Sequence, residues 1–505
     1  MRELHYDVVI VGCGVGGLYT ALNLPEDKQI LMLSKAELET CDSMLAQGGI
    51  CVLRDEDDYD SYFEDTMRAG HYENRKESVD IMIRGSRDVI NDLIGYGVQF
   101  ERNEDGSLAY TKEGAHSKPR ICFHEDITGE EITTHLLSAV KQLKNVTIFE
   151  HTTMTDLIED INHTCVGILA KRADGEELEI YAENTVFATG GIGGQYKHST
   201  NFPILTGDGC EIARKHSVEL EHMDYVQIHP TCFYTENPGR SFLISESARG
   251  EGAIILNHKK ERFVDELQPR DVVTKAIQAE MEKEGVKYEF LSFENVPRET
   301  ILNHFPHIYE HCMKYGFDIL MMPIPIVPAQ HYFMGGIRVD AQHRTGVQNL
   351  YAAGECCALY HGANRLGGNS LLGALYGGRV AAQTACAEAE SASKRAVSIQ
   401  PSNAVLPCEP QDKAELNRIL LHALGVVRSG DTMQDALTQI AGMHGSLPLL
   451  GQAVLKSALA RNESRGAHWR SDYPQRNDAE FHKTTAAYYD GQTVHISWDA
   501  VPERR

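Results

Sequence analysis

The apolar positions of the chain fall into two rhythms. Continuous aliphatic and β-branched runs at Tyr6 to Val11, Ile30 to Leu33, Thr185 to Ala188 and Asn349 to Ala353 predict strands of a parallel sheet covered on both faces. The first runs straight into Gly12-Cys13-Gly14-Val15-Gly16-Gly17 and a helical stretch from Leu18 to Leu24. Because similar strand-plus-glycine units recur far downstream, one α/β domain is expected to be assembled from residues 1–224 and 336–388, with residues 225–335 inserted as a lid. Inside the insert, Val272 to Glu284 reads as a helix and the proline-rich Met322 to Pro328 as a stiff connection. Residues 389–410 have the Ala, Ser and Pro content of a linker. Helical spacing then resumes at Leu416, Ile419, Leu420 and Leu424, at Met433, Ala436 and Ile440, and at Leu450, Ala453, Val454 and Ala458, which predicts a helical domain over 411–505.

Charge and cysteine usage narrow the function classes. Among 505 residues, 72 acidic against 48 basic side chains leave a formal charge of -24, which argues against bulk nucleic-acid or anionic-membrane binding. No apolar run approaches the roughly 20 residues that span a bilayer. The chain enters its first strand without a secretory or transit pattern, so a cytoplasmic location is expected. None of the 12 cysteines has a C-x-x-C partner, so reduced structural thiols and no metal centre are expected.

The glycine loop has a physical reading in its context of strand before and helix after. Gly12 permits the tight turn, Gly14 lets the backbone approach a pyrophosphate, and Gly17 lets helix and strand pack closely, with phosphates at the positive helix N-terminus. The acid that usually reads a ribose at the end of the second strand is missing; Ser34 and Lys35 stand there instead. Lys35 either offsets dinucleotide phosphate charge or is a solvated strand-end lysine. Two further segments, Ser43 to Ile50 and His361 to Ala374, combine glycine, amide and small residues that bring backbone donors against a flat ring or an anion.

With Ala188-Thr189-Gly190-Gly191, Thr206-Gly207-Asp208-Gly209, His229-Pro230-Thr231, Pro269-Arg270-Asp271 and His331-Tyr332, these motifs resemble the flavoproteins of the fumarate reductase and succinate dehydrogenase family. The resemblance extends over nearly the whole chain. It implies an α/β, Rossmann-like FAD-binding domain, an inserted α+β capping domain and a C-terminal helical bundle. Carried over by position, FAD would be held by Gly12, Gly14, Val15, Gly16, Gly17, Ser34, Lys35, Ser43, Gln47, Gly48 and Gly49, and by Thr189, Gly190, Asp208, Glu355, Ser370 and Leu371. Glu355 taken alone reads more often as a solvated strand-end acid. His229, Ser245, His331 and Arg365 resemble the positions that grip two carboxylates. Arg270 resembles the family's proton-transfer arginine, with Glu246 and Arg249 in its relay.

Two positions choose within the family. Asp42 stands where respiratory succinate dehydrogenases carry a histidine covalently bonded to flavin, so the resemblance implies non-covalent FAD. Glu113 resembles a residue that orients a substrate ammonium, although its loop also suits a surface acid. The implied activity is oxidation of L-aspartate to iminoaspartate by hydride transfer to the flavin. Oxygen, giving hydrogen peroxide, or fumarate is the acceptor, and quinolinate synthase takes the product toward NAD. The alternative is a soluble fumarate reductase or succinate dehydrogenase flavoprotein subunit. A flavin-binding scaffold without chemistry and a pyridine-nucleotide dehydrogenase fit the motifs less well.

Overall fold

The computed structural model describes residues 2–237, 239–389, 410–443, 446–490 and 493–500; the expected linker, apart from its ends, lies outside them. Arg2–Val11 pairs in parallel with Ile30–Leu33 on one side and Glu177–Phe187 on the other, and Val146–Phe149 and Leu350–Ala352 add to the same sheet. Cys165–Arg172 and Thr152–Glu159 extend it antiparallel. Val8, Val9 and Ile10 are buried, each contributing about 1.5–3 kcal/mol of apolar burial. Gly12 has φ +117°, and a Cβ there would sit 2.1 Å from the Ala188 carbonyl oxygen. Gly17 would place one 2.0 Å from the Gly12 carbonyl. The turn from the first strand into the helix Val15–Leu22 therefore tolerates no side chain at either position.

The insert has a sheet and a core of its own. Its strands run Val226–Phe233, Ile324–Phe333, Glu289–Ser292 and Ile254–Leu256 in spatial order, and Ile244, Val273, Ile277, Leu291, Phe305 and Ile326 form a second cluster. The helix begins at Arg270, two residues before the predicted start. Met322 to Pro328 is not a plain connection, because Ile324 begins a ten-residue strand. Prolines are tolerated there partly because Pro328 lies opposite Pro230 and Thr231, where two residues oppose one between the pairs His229 with Ala329 and Cys232 with Val327.

Beyond the linker the helices Pro410–Ala423, Gly430–Ile440 and Ser446–Ala460 pack through the apolar positions read from the sequence. The predicted helical domain also contains a hairpin, Lys483–Tyr489 with Val494–Ala500. Alternation in so short a pair was hidden by Thr484, Thr485 and paired alanines that carry little apolar contrast. This hairpin pairs with Leu220–Glu221, which pairs in turn with Gly336–Arg338. The tail thus holds both crossings into the insert. No helix of the described residues is long and apolar enough to cross a membrane.

A fully buried charge cluster locks this junction. Arg461 contacts Asp224 at 2.5 Å, Glu463 at 3.1 Å and Glu73 at 3.2 Å. Asp224 also accepts from the Thr485 hydroxyl at 2.6 Å. Burial opposes ionisation of Asp224, but the Arg461 guanidinium outweighs it and holds the carboxyl down at about 2. Arg461→Met should lower stability by about 3–5 kcal/mol, because it leaves the buried Asp224 carboxylate without an arginine. A urea-unfolding midpoint unchanged from wild type would refute that tie.

Candidate active site between the sheet and the insert

A cavity of about 1750 Å³ of empty space, mouth included, runs from the carboxyl ends of the parallel strands to the insert. Of the residues expected at the cofactor, Gly12, Gly14, Val15, Gly16, Ser34, Lys35, Ser43, Gln47, Gly48, Gly49, Thr189, Gly190, Asp208, Glu355, Ser370 and Leu371 line it. Gly17 does not, and serves the helix–strand packing alone. The first helix points its N-terminus into this space, where its unsatisfied N–H groups favour an anion. Ser43 supports that turn by accepting from the Val15 N–H at 3.1 Å. Ser370 and Leu371 stand in the first turn of Asn369–Ala389, a second helix N-terminus at the cavity.

Lys35 is engaged within the protein. Its ammonium bonds Asp208 at 2.5 Å, Thr206 Oγ1 at 2.9 Å and the Ile204 carbonyl at 3.2 Å. It ties the second strand to the loop before Asp208–Lys215, so its charge is already matched by an acid. Glu355 accepts from the Phe333 N–H at 2.8 Å. Burial, with the nearby Asp42 adding to it, pushes its carboxyl up to about 8. Burial likewise raises Asp42 to about 7, against the Phe202 N–H that it accepts at 2.9 Å and the attraction of Arg240.

All seven residues expected at the substrate and in catalysis line the other end: Glu113, His229, Ser245, Glu246, Arg270, His331 and Arg365. Arg270, the first residue of the insert's long helix, bonds Glu246, the Gln227 amide oxygen at 2.9 Å and Glu113 at 3.1 Å. Arg249 pairs with Glu246 at 3.0 Å. Glu113 is threaded between two glycines: a Cβ on Gly48 would come within 1.8 Å of one carboxylate oxygen and a Cβ on Gly367 within 1.7 Å of the other. Burial and repulsion from Glu246 push Glu113 up, with Arg270 pulling the other way. Glu246 is buried too, yet Arg270 and Arg249 together hold its carboxyl low. Two carboxylates around one guanidinium thus have their affinities for protons driven apart.

The bulge in the insert's sheet has a direct chemical effect. Its Thr231 N–H donates to His229 Nδ1 at 3.2 Å. Burial and Arg270 keep the imidazole well below its ordinary pKa and therefore neutral, so the proton sits on Nε2. That buried Nε2–H has no partner within the protein. His331 is kept neutral by the same causes, lies edge-on to His229 with centroids 5.0 Å apart, and is positioned by Thr200 Oγ1 at 2.8 Å from its Nδ1.

Arg365 is 3% exposed. Its guanidinium lies 4.7 Å over the Tyr332 ring, donates to the Leu366 carbonyl at 3.3 Å, and leaves its buried Nε without a partner. No carboxylate among the described residues lies within ion-pairing distance of it. Burial and Arg270 lower it to about 10, still charged at neutral pH. A buried cation without an acid is costly, and an anionic ligand is what would relieve it.

Sequence reading missed Gln227, whose amide accepts from Arg270 and donates to Asn364 Oδ1 at 2.7 Å and the Arg365 carbonyl at 2.9 Å. Its place two residues before His229 on one strand was the available signal. Thr153, Met154 and Arg240 also line the cavity without belonging to any motif.

Residues 7–371 match the family model described as FAD binding domain, and residues 441–504 match the one described as fumarate reductase flavoprotein C-term. An L-aspartate oxidase of Clostridium perfringens is 50% identical over 371 residues, covering 73% of this chain and 84% of that protein. A chloroplastic L-aspartate oxidase of Oryza sativa subsp. japonica is 34% identical, covering 99% of this chain and 86% of that one. Among solved structures, a mutant E. coli quinol fumarate reductase superposes with a TM-score of 0.90 at 26% identity, covering 100% of this chain and 98% of the other. The cavity fits FAD: the glycine turn and helix N-terminus suit a pyrophosphate, and the buried Gln47 Oε1 that lines it has no protein partner.

Relieving the isolated cation should stabilise the fold. Arg365→Leu is expected to raise the stability of the flavin-free protein by about 1–2 kcal/mol. A melting temperature equal to or below that of the wild-type apoprotein would contradict this account of the site.

Proposed function

The chain belongs to the L-aspartate oxidase family of FAD-binding flavoproteins, and from that membership we propose how its site works. The enzyme is an FAD-dependent oxidoreductase that oxidises L-aspartate to iminoaspartate, the first step of NAD biosynthesis through quinolinate. Bound FAD supplies the hydride acceptor, at N5 of its isoalloxazine ring. Residues 1–224 and 336–388 form the FAD-binding body, 225–335 the cap, 389–410 the linker and 411–505 the C-terminal domain.

The unpaired Arg365 carries the assignment of the substrate end. Its planar fork binds one substrate carboxylate through two bonds. His229 donates its Nε2–H to a carboxylate, and Ser245 and His331 complete the grip. Glu113 accepts from the substrate ammonium, which favours an amino-dicarboxylate over succinate. Arg270, kept charged despite burial by Glu246 and Glu113, is suited to donate a proton when fumarate is the acceptor rather than to act as a base. Arg249 and Glu246 behind it form the relay that resupplies that proton. Closure of the cap excludes water while the substrate is held.

Asp42 cannot form a histidyl bond to flavin, so FAD is held without a covalent link. Lys35 and Asp208 act on the cofactor as a neutral pair at the rim. Oxygen or fumarate serves as acceptor, the setting is the cytoplasm, and quinolinate synthase receives the product.

Anaerobic titration of the holoenzyme tests the substrate: L-aspartate should bleach the flavin absorbance and succinate should not. Bleaching by succinate alone would move the protein to the dehydrogenase branch. Arg365→Leu should keep its flavin while kcat/KM for L-aspartate falls by about 10²- to 10³-fold; near-normal turnover would remove Arg365 from the carboxylate site. Acid precipitation should leave all flavin in the supernatant, and flavin retained in the pellet would disprove the non-covalent assignment.

A further inference from the structure

The substrate end of the cavity has a charge balance that depends on a single proton. Arg249, Arg270 and Arg365 are buried and cationic, and Glu113 and Glu246 are the carboxylates among them. His229 and His331, from the insert's two adjacent strands, are neutral, and His116, in the loop of Glu113 itself, is lowered to about 4 by burial and Arg120. Cys51, packed near Glu113 from the next element, is a thiol raised by burial and carries no charge. Three guanidinium groups against two carboxylates leave one net positive charge.

That charge matches one ligand class and not another. L-Aspartate, with two carboxylates and an ammonium, carries one net negative charge and is balanced by the site as it stands. Succinate and fumarate carry two. They have no ammonium to meet Glu113, so an ionised Glu113 would face a carboxylate ligand inside a buried cavity. Neutralising Glu113 would give the site the second positive charge that a dianion needs.

Resting on the proposed substrate assignment, we propose that Glu113 takes up a proton when a simple dicarboxylate such as fumarate or succinate binds and stays ionised when L-aspartate binds. One carboxyl thereby fits a single cavity to both an electron donor and an electron acceptor of different charge. The geometry selects Glu113 over Glu246. Glu246 is clamped by Arg249 and Arg270 from two sides, whereas Glu113 has only one Arg270 bond, at 3.1 Å, and sits between two bare glycines. Burial and the adjoining Glu246 also raise Glu113 toward neutrality in the free protein.

The test uses the oxidised holoenzyme with succinate, which perturbs flavin absorbance on binding. Between pH 6 and 8 the succinate Kd should rise about tenfold per pH unit, with close to one proton taken up from a weakly buffered indicator solution. In Glu113→Gln, checked for normal flavin content, succinate should bind with a pH-independent Kd at or below the wild-type value at pH 6, without proton uptake. The wild-type kcat/KM for L-aspartate should not fall as pH rises over this range. A pH-independent Kd in wild type, or the same slope and proton uptake in Glu113→Gln, overturns the proposal. Failure of L-aspartate to bleach the wild-type flavin would instead sink the substrate assignment on which it rests.

Discussion

One constraint organises the molecule: three buried arginines must be kept charged. Arg270 and Arg249 come from the insert and Arg365 from the segment entering a helix of the main domain, so the cluster exists only where the two bodies meet. Glu113 reaches across from the main domain to Arg270, which makes the central ion pair a contact between bodies. Neither body could bury these groups alone at tolerable cost. The bulge that fixes His229, the amide of Gln227 and the stacking of Tyr332 serve the same end, fixing donors around a space left for an anion.

The junction is held from the opposite side by a second buried cluster with the reverse character. Arg461 and Arg465 each have several acids in contact there, and the tail hairpin adds backbone pairing to both crossings of the insert. The contrast is between two arginines: Arg461 is surrounded by acids and holds the architecture, whereas Arg365 has none and opens onto the cavity.

Much of this was legible in the sequence because it rests on local rules. The strand, Gly12 to Gly17 and helix succession is dictated by sterics, and the structure shows the two close approaches that forbid a side chain. The site residues named from motifs also converge on one cavity, although 252 positions separate Glu113 from Arg365. What escaped depended on partners distant in the chain. Lys35 looked available for phosphate until Asp208 was placed beside it, and Pro325 and Pro328 hid a strand whose irregularity lies opposite Pro230. Gln227 carried no motif because its role is to join two arginines that sequence does not show as neighbours. The terminal hairpin lacked apolar contrast and is specified by the crossings it pairs with.

The passage of Glu113 between Gly48 and Gly367 bears on how this sequence can drift. Three positions from remote segments share one volume, with less than 2 Å between a carboxylate oxygen and any first side-chain carbon at either glycine. The residue allowed at each therefore depends on the other two. A lineage that places even an alanine at position 48 or 367 must shorten or redirect residue 113. Conversely, a lineage that abandons the acid at 113 frees both glycines to vary. Divergence of ligand preference in such proteins would then leave its record first at two apparently featureless glycines.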